Sequence, residues 1–325
     1  MGKKIKKQHY VPQFYLKSFS LRKTLKGKKN FSINVFDKDL EKIYMSNIKN
    51  IAQEKYFYDK DGHQLIEKNL SQIESACSKV YNSLVKDENF FLMEIPQKRD
   101  YMSLLLTIQI LRTKEMRLYV KDMVKEFKKE MYKDYELLSD DLIEQLEALT
   151  DEKSIKNQHL RHFGQILDLI PMFDQKKWCL LINETKSPYW TSDSPIVKFN
   201  PFPSKYGNLG LRSPGIQLYF PLSPKLCLCL LDPKRYVTYN KMRTVEKEHQ
   251  FTNNMKIDTY VVNLGDIYRL NRLQVLQSTR QVFSISDDFS LAESIIKNES
   301  DQLKDNRVEM NTLEDNPDII HVKRL

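Results

Sequence analysis

The sequence predicts an α+β fold, in which a helix-rich N-terminal half with a small hairpin packs on a mostly antiparallel, β-rich C-terminal half. Glycine is scarce, with 8 in 325 residues, and a hydrophobic share of 41% can supply a core. Apolar residues recur at helical spacing through residues 64–132, and the period becomes that of a buried strand at Trp178. Helices are therefore expected first and strands later.

The first half begins with a hairpin pattern. Residues 31–36 alternate apolar and polar side chains, residues 37–39 form a turn, and residues 41–45 return. Residues 64–85 carry an apolar stripe typical of an amphipathic helix. Pro96 is tolerated in a first helical turn, so a central helix is predicted from there to about residue 132.

The second half has strand-like segments separated by turn residues. Proline and glycine are densest in residues 200–216, which predicts a long loop that could act as a lid. One late helix is expected within residues 257–276. The segments predicted as strands are residues 178–183, 189–191, 196–197, 217–221, 225–231 and 281–284.

The composition divides the chain into four segments. We predict a basic arm over residues 1–30 and a helical core with the hairpin and a charged helical protrusion over residues 31–175. A β-rich part of the same globular unit follows over residues 176–290. An acidic tail, predicted to be mobile, covers residues 291–325.

Positive charge is concentrated in the arm. Residues 1–30 contain ten Lys and Arg residues and no acid, whereas the whole chain carries a net charge of +9. Such a segment is typical of proteins that bind a polyphosphate backbone, so nucleic acid is the predicted partner. The alternative is that the lysines only keep the arm solvated. The predicted contacts are Lys3, Lys4, Lys6, Lys7, Lys17, Arg22 and Lys23.

Several classes of protein are disfavoured. The chain has no Gly-rich phosphate loop, nucleophile elbow or dinucleotide fingerprint, so we expect no nucleotide cofactor. No secretion signal or apolar run of membrane-spanning length is found, which predicts a soluble, cytoplasmic protein without a membrane partner. The four cysteines form no CxxC pair. Cys227 and Cys229 alternate with leucines and are expected in the core rather than as metal ligands.

The least generic segment is residues 8–16, with the sequence QHYVPQFYL. Pro12 lacks a backbone donor and biases Val11 toward an extended conformation. The segment is therefore expected to enter extended and to become helical only after the proline. His9 and Gln13 are then fixed relative to one another.

A wider set of positions accompanies this segment. They are Phe19, Tyr56-Phe57-Tyr58, Glu74, Gln109, Arg112, Trp178, Thr191-Ser192-Asp193-Ser194-Pro195 and Pro221-Leu222-Ser223-Pro224. Together with the opening HYVPQFYL signature, this set resembles a family of bacterial proteins known only as a domain of unknown function. The resemblance implies that these positions form one constellation in one fold, and it assigns no activity.

The leading hypothesis is a phosphodiester hydrolase directed at nucleic acid. His9, with Gln13, would act as general acid or base near its ordinary pKa, and Arg112 would stabilise the phosphate charge. Glu74 and Asp193 would hold a divalent ion, Mg²⁺ or Mn²⁺, and Asp193 would also be catalytic. The residues expected to support the site are Tyr10, Gln109, Ser192 and Ser194.

Alternatives stay open. Arg112 can form a structural ion pair, residues 192–194 can form an Asx or Ser turn, and Glu74 can be a surface residue. His159 and His162 share a helix face without a third metal ligand and are expected in the core or in a cap. A non-catalytic module that binds nucleic acid or an acidic partner is the alternative function, and turnover of a small phosphorylated metabolite is a third.

Overall fold

The computed structural model describes residues 4–25, 28–59, 63–87, 90–133, 139–202, 209–233, 257–299, 308–311 and 321–324. Its helices are α1 Gln13–Leu16, α2 Leu65–Lys86, α3 Pro96–Leu111, α4 Lys114–Met131, α5 Asp140–Ala148, α6 Glu152–Arg161, α7 Ile166–Asp174, α8 Leu264–Gln277 and α9 Ser290–Asn298.

Strands lie on both sides of the helical region. They are β1 Lys7–His9, β2 Leu21–Leu25, β3 Lys28–Asp37, β4 Lys42–Asn47, β5 Gln53–Lys55, β6 Lys177–Asn183, β7 Thr191–Ser192, β8 Val197–Phe199, β9 Gln217–Ser223, β10 Leu226–Leu231, β11 Asp258–Val262, β12 Gln281–Ser284, β13 Val308–Asn311 and β14 His321–Arg324.

The predicted division into a helix-rich N-terminal half and a β-rich C-terminal half is wrong, although the protein is α+β. The long helices occupy the middle of the chain, residues 65–174, and the first 55 residues form five strands rather than one small hairpin. The physical reason is long-range pairing: β12, near residue 283, pairs antiparallel with β3. The first and last parts of the chain therefore build one sheet.

This first sheet has the strand order β2-β3-β12-β7, and β4 pairs with the other side of β3. The predicted hairpin is present as β3 and β4. Ile33 and Val35 alternate along β3 and are fully buried, so this face of the strand belongs to the core.

The second sheet has the order β11-β6-β10-β9-β8. β11 runs parallel to β6, and the other pairs are antiparallel. Nearly every residue of β6, β9 and β10 is buried, because apolar side chains are packed on both faces. Cys179, Cys227 and Cys229 are buried in this sheet, which confirms the core role predicted for Cys227 and Cys229.

Two predicted helices are interrupted where side chains provide caps. The predicted helix over residues 96–132 ends at Leu111, and Thr113 caps the start of α4 by accepting the N–H of Met116. The late helix begins only at Leu264, where Asn263 and Asp266 form a capping box. The residues before Asn263, which lie in the range predicted to contain this helix, form β11.

One hydrophobic core joins distant parts of the chain. Tyr10 and Leu16 from the opening signature pack in the same cluster as Leu106 of α3, Trp178 of β6 and Leu228 of β10. The signature therefore lies where the helices meet the second sheet. No helix in the described part of the chain has the length and apolar character needed to cross a membrane.

Candidate functional site

The opening signature adopts the predicted local structure. Residues 7–9 form β1, Pro12 is extended with φ −60° and ψ 138°, and α1 begins at Gln13. The change from strand to helix after the proline is therefore confirmed. It places the side chains of His9 and Gln13 side by side, with 3.5 Å between His9 Nδ1 and Gln13 Nε2.

Arg112 is the centre of a buried network. Its side chain is 2% exposed, and it lies at the break between α3 and α4. Nη1 donates to Oε1 of Glu74 at 2.6 Å, Nε donates to the Tyr58 hydroxyl at 3.1 Å, and Nη2 donates to the His9 carbonyl. Burial opposes the charge, but Tyr58 and Glu74 raise the pKa of Arg112 above its ordinary value. The guanidinium is thus held by the protein itself.

His9 is half-buried and electrically neutral at pH 7. Burial lowers its pKa to about 4, the Ile48 backbone raises it by less, and the nearby charges of Arg112 and Lys7 lower it further. Its Nε2 atom is buried and has no hydrogen-bond partner among the described residues. An imidazole in this state is a weaker base than the sequence hypothesis assumed.

Asp193 lies in the turn after β7 and is fully buried. Its carboxylate accepts the backbone N–H groups of Thr279 at 2.8 Å, Arg280 at 2.8 Å and Gln281 at 2.9 Å. Burial raises the pKa of Asp193 to about 6, against the opposing effect of these donors. Both oxygens are therefore engaged in joining the turn to the start of β12.

The residues predicted to support the site also form hydrogen bonds within the protein, as Asp193 does. Gln109 is buried and donates to the Tyr10 carbonyl at 3.2 Å. The Ser192 hydroxyl donates to Gln274 Oε1 at 2.7 Å and accepts the Ser194 N–H at 3.2 Å, which is a Ser turn. The structure thus gathers His9, Gln13, Tyr10, Gln109, Arg112 and Glu74 around the signature, whereas the contacts of Asp193, Ser192 and Ser194 lie at β7, α8 and β12.

The outer side of the signature is basic. β1 pairs antiparallel with β5, and Lys7 lies directly opposite Lys55. The hydrogen bonds from Tyr56 N to the Lys6 carbonyl and from Tyr10 N to the Ala52 carbonyl make Lys7 and Lys55 a non-hydrogen-bonded pair, in which side chains are closest. Both lysines are exposed.

We call this surface the basic ribbon and define it as the exposed lysines of β1, β5 and their flanking residues. Lys7 donates to Asn50 Oδ1 at 2.9 Å, which connects β1 to the turn before β5. Within the described residues, the ribbon lysines form no ion pair with an acid. The ribbon consists of Lys4, Lys6, Lys7, Lys49 and Lys55.

Not all predicted nucleic-acid contacts lie on the ribbon. Lys17 is exposed and stands over the Phe31 ring at 5.4 Å, and Arg22 is exposed on β2 opposite Phe31. Lys3 lies outside the described residues, and only the backbone of Lys23 is described.

The family model described as "Protein of unknown function (DUF4238)" matches residues 7–288. The chain belongs to this family. Its predicted membership of a family of unknown function is thereby confirmed. The DUF4238 match includes His9, Arg112 and Asp193 and begins at Lys7 of the ribbon. No curated protein and no solved structure matches the chain.

Around Arg112, the sequence assigned no site role to Tyr58 and did not single out Asp59 or Glu67. Tyr58 links the guanidinium to the His9 carbonyl, and Asp59 binds both the Gln8 side chain and the Ile66 N–H at the start of α2. Burial raises the pKa of Glu67 to about 7, Arg112 lowers it, and Glu74 and Asp59 raise it further. The seven-residue spacing of Glu67 and Glu74, two turns of one helix face, was the signal that could have identified the carboxylate pair.

His159 is a core histidine, as predicted. It is fully buried, and Nε2 bonds the Leu111 carbonyl at 2.7 Å. Across the described residues, no group of three or more His, Cys, Asp or Glu side chains could hold a metal ion.

Proposed function

We propose that this DUF4238 protein is a non-catalytic module that binds the phosphate backbone of nucleic acid through the basic ribbon. One observation carries the proposal: Lys7 and Lys55 face each other across β1 and β5 with no acid between them. Like charges directly opposite each other destabilise a strand pair. A bound phosphate would relieve this repulsion, so the folded ribbon is prepared for an anion.

The contacts of the predicted catalytic groups also support binding. The guanidinium of Arg112 is directed at Glu74, Tyr58 and the His9 carbonyl, so a phosphate would have to displace these partners. The Asp193 carboxylate is directed at three backbone N–H groups. Each residue has a sufficient structural reason to be present, and catalysis is not needed to explain it.

We include a cytoplasmic location in this proposal. The four cysteines are buried and form no disulfide bond, although Cys179 and Cys229 lie directly opposite each other in the second sheet. Opposed cysteines that do not form a disulfide are typical of proteins from reducing compartments.

Hydrolysis of the bound nucleic acid is a second candidate, and one observation favours it. His9 lies directly opposite Gln53 on the face of the strand pair that carries Lys7 and Lys55. His9 Nε2 and Gln53 Oε1 are both buried without a hydrogen-bond partner among the described residues. Orphaned polar atoms are rare in folded proteins and often mark functional sites. Activity would then use His9 with a divalent ion, Mg²⁺ or Mn²⁺.

Binding is tested by fluorescence anisotropy with short single-stranded DNA, duplex DNA and RNA. We expect affinity to fall steeply between about 50 and 200 mM salt. In the double variant Lys7→Glu/Lys55→Glu, affinity should drop at least about tenfold, and the slope of log K against log salt should fall by about 2. The matched control is Lys68→Glu/Lys79→Glu, which makes the same charge change on exposed positions of α2.

Equal losses in the two double variants would show a general charge effect and would reject the ribbon as the binding site. Binding of an acidic protein but of none of the three nucleic acids would reject nucleic acid as the partner.

Hydrolysis is tested by incubating the same substrates with and without Mg²⁺ or Mn²⁺. The binding proposal predicts no cleavage by the wild-type protein. It also predicts that His9→Ala and the control His63→Ala, at an exposed position, bind nucleic acid equally well. If the wild type and His63→Ala cleave the substrates but His9→Ala does not, the protein is an enzyme and the proposal of a non-catalytic module is wrong.

A further inference from the structure

The strand β4 forms an open edge of the first sheet. Among the described strands it pairs only with β3, so its outer backbone N–H and C=O groups have no strand partner there. Its residues and the preceding turn carry four large exposed apolar side chains, with exposed fractions of 52% for Leu40, 41% for Ile43, 36% for Tyr44 and 50% for Met45. An exposed apolar edge of this kind is a template for pairing with another strand.

The usual protection of an edge strand is weak in β4. The strand contains no proline, and Lys42 is its only charged residue. Ile43 and Met45 lie on one face and Tyr44 lies on the other, because successive side chains alternate along a strand. A strand added to this edge would therefore bury apolar surface on both faces of the sheet.

Backbone geometry restricts how β4 can pair with a copy of itself. In an antiparallel pair, only alternate residues direct their N–H and C=O groups toward the open edge. A residue whose backbone groups point to the open edge must therefore lie opposite a residue of the same kind in the second copy. This is possible only if one residue lies opposite its own copy, with the two-fold axis between the two. Registers that would place the axis between two neighbouring residues are excluded.

The register centred on Tyr44 matches the side chains best. Tyr44 then faces Tyr44, Ile43 faces Met45, and Lys42 faces Ser46, so the apolar residues meet and no like charges lie directly opposite. The apolar side chains of the two copies are therefore complementary in this register.

We propose that β4 pairs antiparallel with β4 of a second copy of this chain, centred on Tyr44, so that the first sheet continues through a symmetric dimer. The inference does not rest on nucleic-acid binding. A strand edge is a small interface, so the dimer should be weak, with a dissociation constant in the micromolar range.

The first test is light scattering at increasing concentrations of the full chain without nucleic acid. We expect the wild-type protein to shift from monomer to dimer, and Met45→Lys to remain monomeric because it places a charge at the centre of the edge. The control is Val261→Lys on β11, an exposed position at an edge of the second sheet, which should dimerise like the wild type. A monomeric wild type, or a Met45→Lys variant that dimerises equally well, would overturn the proposal.

The second test fixes the register with a disulfide. The native cysteines are buried, so Tyr44→Cys adds an accessible thiol to the protein. Directly opposed Cα atoms about 4.5–5.5 Å apart are within the range that a disulfide spans. Mild oxidation should link Tyr44→Cys into covalent dimers much faster than Val261→Cys. Equal rates, or linkage through Met45→Cys but not Tyr44→Cys, would overturn the Tyr44-centred pairing.

Discussion

The two sides of the three-residue strand β1 differ in how well their polar groups are partnered. On the inner side, Gln8 binds Tyr58 N and Asp59, and the His9 carbonyl accepts from Arg112 and Tyr58. On the outer side, Lys7 faces Lys55 without an acid. The inner side is organised for stability, and the outer side keeps a charge that a ligand can neutralise. The unusual residues of the signature are therefore explained by the stability of the fold. The proposed binding of nucleic acid uses the lysines on the outer side.

The largest expected effect comes from removing Arg112. Arg112→Met leaves Glu74 half-buried without its partner and removes donors from the Tyr58 hydroxyl and the His9 carbonyl. We expect the free energy of unfolding to fall by about 3–5 kcal/mol, measured by urea denaturation. The control Arg161→Met removes an exposed guanidinium from α6 and should change it by less than about 0.5 kcal/mol. Similar losses in both variants would show that the inner network is not a principal source of stability.

The second largest loss of stability is expected from removing the Asp193 carboxylate. Asp193→Ala leaves three backbone N–H groups, at residues 279–281, without their acceptor. A loss of about 2–3 kcal/mol is expected from urea denaturation, with no change in nucleic-acid affinity per folded molecule. Asp287→Ala, at an exposed position, is the matched control. If the Asp193→Ala protein has normal stability but no longer binds nucleic acid, Asp193 has a role in binding rather than in stability.

The sequence was informative where structure is determined locally. Pro12 marked the change from β1 to α1, Pro96 marked the start of α3, and the alternating pattern of β3 marked the hairpin. These features depend on backbone dihedrals and on neighbouring side chains, so a single chain reveals them. The gathering of His9, Arg112 and Glu74 was also expected, although as a catalytic site.

The contacts that decide the site were not predictable in the same way. Glu74 lies on α2 and Arg112 directly follows α3, so only the packing of α2 against α3 determines that they meet. Asp193 binds residues 86 to 88 positions away. The pairing of β12 with β3 spans most of the chain and overturned the predicted division into halves. No periodicity in the sequence encodes such distances.

A pH-dependent prediction concerns Glu67, at the border of the inner network. Its pKa of about 7 lies above the ordinary value of 4.5, so the folded state binds a proton more tightly than the unfolded state between these values. The contribution of Glu67 to stability is therefore lost as pH rises from about 4.5 to 7. Glu67→Gln has no side-chain carboxylate to ionise, so above pH 7 the variant should be more stable than the wild type. The expected difference is only about 1 kcal/mol, because partial solvation of Glu67 reduces the effect.

Thermal or urea denaturation from pH 4.5 to 8 measures this difference between Glu67→Gln and the wild type. The control Glu184→Gln lies at an exposed position and should show no such trend. A stability difference that does not grow with pH would mean that Glu67 is not part of the buried charge network.

The smallest expected change in stability comes from Lys55→Glu. This variant tests the difference between the two sides of β1 most directly, because stability and binding should change in opposite directions. Lys55→Glu converts a repulsive cross-strand pair with Lys7 into an attractive one, which should raise the free energy of unfolding by about 0.2–1 kcal/mol. The same variant should bind nucleic acid several-fold more weakly, because it replaces a phosphate contact with a negative charge. Lys79→Glu on α2 should change neither property appreciably. If Lys55→Glu lowers stability, or leaves binding intact, the lysine pair is not the strained, ligand-ready element that the outer side of β1 was inferred to be.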